Sequence, residues 1–98
     1  MAWNGSQGFH YNKPSALQNA PAVSGVYVLY HDSENCYVGE THNIKDRLIQ
    51  HLTKEDNPLL AAANPLYFAF LQIGANLRLQ VQNQLILELK STCNRKLG

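Results

Sequence analysis

Two short β-rich runs separated by a polar turn constrain this chain more than anything else in it. They are Gly25-Val-Tyr-Val-Leu-Tyr30 and Cys36-Tyr-Val-Gly39, with His31-Asp-Ser-Glu-Asn35 between them. β-branched and aromatic side chains fit a pleated, half-buried surface, so the pair reads as an antiparallel hairpin. The first run is apolar on both faces, which requires cover on both sides of the sheet.

Helical spacing takes over after the hairpin. Asn43 can cap a helix, with Asp46 three residues on in capping-box position. Ile44, Leu48 and Leu52 recur every four residues and face a core, while Arg47 and His51 stack on a neighbouring face. Asp56-Asn-Pro58 opens another helix, Leu59-Leu-Ala-Ala-Ala63 continues it, and Asn64-Pro65 stops it. Leu66 to Ile73 reads as a third strand ended by Gly74. Asn76 is the expected cap of a last helix carrying Leu77, Val81, Leu85 and Leu89, which fades near Lys90. The order β-β-α-α-β-α predicts an α+β domain: a small three-stranded antiparallel or mixed sheet flanked by about three helices. Residues 1–22, rich in Asn, Gly, Ser, Gln and Pro, read as an N-terminal arm with one short helix near Ala16–Asn19. Its Trp3, Phe9 and Tyr11 either pack onto the domain or lie loose, and the domain proper is expected over residues 23–98.

Composition narrows the function only by exclusion. Ninety-eight residues, 45% hydrophobic and 15% charged, make one folded domain rather than a disordered chain. No apolar run approaches the ~20 residues of a membrane span. The opening residues lack a basic-then-apolar secretion pattern. Cys36 and Cys93 lie far apart without metal-ligand spacing and are expected to be reduced thiols of a cytoplasmic protein. A net charge of +1 argues against strong non-specific binding to nucleic acid, although Lys45 with Arg47, and Lys90 with Arg95 and Lys96, form small basic groups.

Several of these residues stand at a recognisable spacing. Gly25-Val-Tyr27 is followed ten residues later by Tyr37-Val-Gly39, then by Thr41, Asn43-Ile44, Arg47-Leu48 and His51. Leu85-Ile86 and, eight residues on, Asn94 close the pattern. This array resembles the GIY-YIG nuclease family over residues 24–94, essentially the whole family module. Family members include homing endonucleases, some restriction enzymes and the incision subunit of bacterial excision repair. The resemblance implies a three-stranded sheet among helices and hydrolysis of nucleic-acid phosphodiesters, DNA above all, with one Mg²⁺ or Mn²⁺.

Roles follow from the resemblance, residue by residue. Tyr27 matches the tyrosine that acts as general base. Tyr37 is expected to orient the water or the phosphate, and Asn94 to brace the site. Thr41, Asn43 and Lys45 stand where substrate contacts are expected. A free tyrosine has a pKa near ~10, so Tyr27 needs positive charge beside it, which Arg47 and His51 could supply. Arg47 can also clamp phosphate oxygens with its planar fork. Taken singly these residues have plainer readings, since strand tyrosines usually pack and an Arg–His pair on a helix is commonly a solvated face. Their joint spacing favours a site. His10, His31 and His42 fit no motif and read as surface residues, and Glu40 as an exposed variable position.

One position departs from the pattern. The family carries its metal-binding glutamate three residues before the Leu-Ile pair, and here that residue is Gln82. Glu88 lies six residues on, roughly 9 Å along a helix and about 120° around it, and cannot replace it. A neutral amide oxygen is a much poorer ligand than a carboxylate for a hard cation. The chain is therefore expected to bind metal weakly or not at all, and to cleave slowly or not at all. Two accounts stay open. Gln82 is a substitution that keeps shape and deletes charge in a nuclease, or the chain is a natural pseudo-nuclease serving as a nucleic-acid-binding or protein-interaction module.

Overall fold

A computed structural model describes residues 5–32, 34–55 and 57–90. Its elements are β1 (Phe9–His10), α1 (Lys13–Asn19), β2 (Gly25–His31), β3 (Glu34–Thr41), α2 (Ile44–Thr53), α3 (Pro58–Ala63), β4 (Tyr67–Gln72) and α4 (Arg78–Leu89). From Gly25 onward the order is the expected β-β-α-α-β-α.

The sheet is antiparallel throughout, in the order β1-β4-β2-β3. The sequence predicts three strands and the structure has four. Two residues of the N-terminal segment make the difference: Phe9 pairs with Phe68 and His10 with Tyr67 along the outer edge of β4. The Phe9 ring packs on Phe68 and Phe70, with centroids 5.5 and 6.1 Å away, and Tyr11 N–H donates to the Leu66 carbonyl. So short a strand carries little pattern of its own; it forms because β4 offers it an open edge.

Central strand β2 is covered on both faces, as its apolar run requires. On one face Tyr27 and Leu29 pack with Ala16 and Ala20 from the N-terminal segment, with Ile44 and Leu48 of α2, and with Leu60 and Phe68. On the other, Val26, Val28 and Val38 meet Leu85 of α4. Gly25 is required where β2 starts, because a Cβ there would overlap the Leu71 carbonyl oxygen and lie 2.8 Å from Ile44 Cδ1. Cys36 is buried in the first cluster; Cys93 lies outside the described residues.

Helix starts follow the sequence in part. Asn43 caps α2, its Oδ1 accepting from Asp46 N–H at 3.0 Å. The reciprocal half of the expected box comes from Thr41, whose Oγ1 accepts from Asn43 N–H at 3.1 Å. Asn57 caps α3 ahead of Pro58, and Asn64 ends it in the left-handed region at φ 52°. Asp56 lies outside the described residues. Asn76 does not cap α4: the helix begins one residue later than a cap there would give, with Leu77 at its N-cap and no side-chain cap bond. A turn closed by Leu77 N–H on the Gly74 carbonyl occupies that place instead.

Candidate active site

Strand register assembles the first half of the site. Tyr27 of β2 lies opposite Gly39 of β3, and Leu29 lies opposite Tyr37, so alternation puts both tyrosines on the sheet face that α2 covers. Gly39 is what lets the Tyr27 ring lie down, since a Cβ there would overlap its Cζ and hydroxyl oxygen. α2 brings the second half. Arg47 and His51, one turn apart, face the strands beside the buried Ile44 and Leu48. The three rings converge: Tyr27 to Tyr37 6.1 Å, Tyr27 to His51 5.7 Å, Tyr37 to His51 5.6 Å between centroids. Tyr27 is 1% exposed and His51 8%.

Hydrogen bonds join these groups in a line. Tyr27 Oη lies 2.8 Å from His51 Nε2, and His51 Nδ1 lies 2.8 Å from Glu55 Oε1. The other Glu55 oxygen accepts from Asn57 N–H at 2.9 Å. Glu55 is absent from the sequence-derived site because it lies past the end of α2, in the linker to α3. The signal was its spacing: Arg47, His51 and Glu55 are each four residues apart.

Burial and then the neighbouring Tyr37 raise the Tyr27 pKa well above its ordinary 10.0. The Arg47 guanidinium beside the phenol acts in the opposite direction, as the sequence reading has it, but does not outweigh them. Both groups expected beside the Tyr27 hydroxyl are there, and the lowering effect of Arg47 works against that of burial. Desolvation of the phenolate is the larger effect.

Next to the ring cluster lies a cleft of about 330 Å³ lined by Thr41, Asn43 and Arg47 together with Glu40, Asp46 and Arg78. His42 also borders it, so this histidine is on the surface as expected but beside the cleft. Glu40 is half-buried rather than exposed: Arg78 Nε donates to its Oε1 at 2.9 Å and Arg78 Nη1 to Ser24 Oγ at 3.0 Å. Lys45 does not line the cleft; its backbone N–H is held by the Pro21 carbonyl. Asn94 lies outside the described residues.

Gln82 sits on α4, one turn past Arg78 and so on the same helix face, and is 7% exposed. Its Nε2 donates to Asn83 Oδ1 at 3.4 Å. A hard dication takes carboxylate and carbonyl oxygens, and no group of three or more His, Cys, Asp or Glu side chains that could hold one occurs among the described residues. Of the two carboxylates that line the cleft, Glu40 is paired with Arg78. At position 82 the site offers a neutral amide, a poorer ligand for a hard dication than a carboxylate.

Solved structures share this fold. A tyrosine-to-phenylalanine mutant of the GIY-YIG N-terminal endonuclease domain of UvrC from Thermotoga maritima, bound to its catalytic divalent cation, is 16% identical with a TM-score of 0.68. That match covers 80% of this chain and 89% of the other. The same domain bound to magnesium is 17% identical with a TM-score of 0.67, covering 78% of this chain and 88% of that one. No curated protein matches the sequence. The pattern of the GIY-YIG catalytic domain matches residues 23–90, well over half the chain. By that match, this chain belongs to the GIY-YIG family.

Proposed function

We propose that this chain is a GIY-YIG endonuclease domain that binds a nucleic-acid phosphodiester, DNA first among candidates, and that Gln82 leaves it cleaving slowly or not at all. The observation that carries the reading is the 2.8 Å contact between Tyr27 Oη and His51 Nε2, which links the first sequence motif to the helix bearing Arg47. In this reading Arg47, half-buried at the junction of ring cluster and cleft, grips the non-bridging phosphate oxygens. Asn43 spends its carbonyl oxygen on the α2 cap, which leaves its amide N–H groups to donate to phosphate. Thr41 shapes the cleft wall, Lys45 adds charge beyond its rim, and Asn94 braces the site. Tyr27 takes a proton from the attacking water, and Tyr37 orients that water from the neighbouring strand. In relatives such as the UvrC domain a divalent cation is bound; a carboxylate at position 82 is what this donor set lacks for one.

Cleavage of duplex, branched and single-stranded DNA with Mg²⁺ or Mn²⁺ by this chain and by Gln82→Glu tests the proposal. Cutting by the variant alone, or by the variant many-fold faster, supports it. No cutting by either overturns the endonuclease reading. The paired Glu40 and Arg78, which leave the cleft close to electrically neutral, favour a second reading: a pseudo-nuclease kept for binding. In that case salt-dependent retention on DNA persists without cutting in either protein.

A further inference from the structure

We propose that Glu55 is the positioning residue of this site: its carboxylate holds His51 as the Nδ1–H tautomer and so reserves Nε2 to accept the Tyr27 hydroxyl proton. The inference rests on the site reading above but turns on geometry of its own. An ionised carboxylate only accepts hydrogen bonds, so the 2.8 Å contact to Glu55 Oε1 requires a proton on His51 Nδ1. A neutral imidazole then carries a lone pair on Nε2, and the group facing it at 2.8 Å is the Tyr27 hydroxyl. The carboxylate cannot swing freely. Its second oxygen is fixed by Asn57 N–H, and Asn57 is itself the N-cap of α3, so the start of one helix orients the base on another.

This chain of bonds answers the difficulty that burial creates. A standing phenolate at Tyr27 is disfavoured, yet a water attacking phosphorus must lose a proton. With His51 poised, the water proton moves to Tyr27 Oη as the Tyr27 proton moves to His51 Nε2. The hydroxide so formed makes the new P–O bond while the bond to the leaving oxygen breaks, and that oxygen takes a proton from solvent. The imidazolium lies between the tyrosine oxygen and the Glu55 carboxylate. It returns its proton to water through a second cleft of about 220 Å³ lined by Tyr11, His51 and Glu55. Among the described residues, the ionisable groups facing His51 include Tyr27 and Tyr37 from the strands, Arg47 from its own helix, Tyr11 from the N-terminal segment, and Glu55.

The Asn57 N–H also makes the test decisive. In Glu55→Gln the amide oxygen is the only atom that can accept from Asn57 N–H, which turns the NH₂ group toward His51 Nδ1. That donor forces the proton onto Nε2, where it opposes the Tyr27 hydroxyl. Two-bond ¹H–¹⁵N correlation spectra at about pH 8, above the ordinary histidine range, read the tautomer directly without any cleavage. Expected are an unprotonated Nε2 for His51 in the chain as it stands and a protonated Nε2 in Glu55→Gln. In the Gln82→Glu background, Glu55→Gln should lower kcat by roughly 10²–10⁴-fold with little change in KM, the scale of a wrong-tautomer histidine. Nε2–H in the unsubstituted chain, or retention of Nδ1–H in Glu55→Gln, overturns the proposal. If Gln82→Glu cuts nothing, the endonuclease reading fails while the spectra still decide the role of Glu55.

Discussion

Gly39 faces Tyr27 across the β2–β3 ladder, and the Tyr27 ring fills the space a side chain at 39 would take. Overpacking of this kind typically costs about 1–3 kcal/mol, because a buried ring held between strands cannot shift without displacing its neighbours. Gly39→Ala should therefore lower the unfolding free energy by that amount, read as a lower urea midpoint, and, in the Gln82→Glu background, reduce cleavage by lengthening the Tyr27–His51 contact. A variant with unchanged midpoint and cleavage would show that Tyr27 has room to move. Gly39 and Tyr27 are thus one packing unit, set by the β2–β3 register. Residue types alone could suggest that Tyr27 and Arg47 meet. They could not show that burial outweighs the guanidinium and raises the phenol pKa, since that balance depends on how deep the ring lies.

At the scale of elements, the N-terminal segment does more than its composition suggests. α1 buries Ala16 against the face that carries Tyr27, Asn12 caps it by accepting from Ser15 N–H, and β1 closes the edge of β4. An open β4 edge would present unpaired backbone groups to another chain. Phe9→Ala removes the ring that joins β1 to Phe68 and Phe70. The expected loss is roughly 1–2 kcal/mol, below the 3–5 typical of a fully buried Phe because Phe9 is half-buried. Thermal unfolding and light scattering check it: a lower midpoint with more association is expected, and unchanged values would mean the edge is protected without that ring. α4 illustrates the opposite case. Its periodic Leu77, Val81, Leu85 and Leu89 mark the helix in the sequence, but the helix starts one residue later than an Asn76 cap would give because the turn after Gly74 takes Asn76 out of the capping position.

Across the whole molecule, stability should depend on pH chiefly at the alkaline end. Tyr27 has a folded pKa raised above its ordinary 10.0, with burial the main cause, and Tyr11 is raised the same way, with burial first and Glu55 second. Both are protonated in either state at neutral pH, so the stability they contribute is fully present below about pH 10. Above that, the unfolded chain releases protons that the folded chain keeps, and stability falls by up to about 1.4 kcal/mol per pH unit for Tyr27. A phenolate absorbance titration of the five tyrosines, followed beside circular dichroism, should show Tyr27 ionising only as the fold is lost. One wave near pH ~10 with the fold intact would contradict its burial.

The sequence by itself determined the hairpin, the element order from Gly25 onward, the cap at Asn43, the helix start ahead of Pro58, and the choice of Tyr37, Arg47 and His51 as neighbours of Tyr27. All of these are local signals: alternation, helical period, cap chemistry and fixed motif spacing act over a few residues. The tertiary structure alone decided the fourth strand, the pairing of Glu40 with Arg78, the burial that governs Tyr27, and the line from Tyr27 through His51 to Glu55 and Asn57. Each of those depends on which surfaces meet in three dimensions, and the free energy of a contact or a buried charge is set by that meeting rather than by the chain on either side of it.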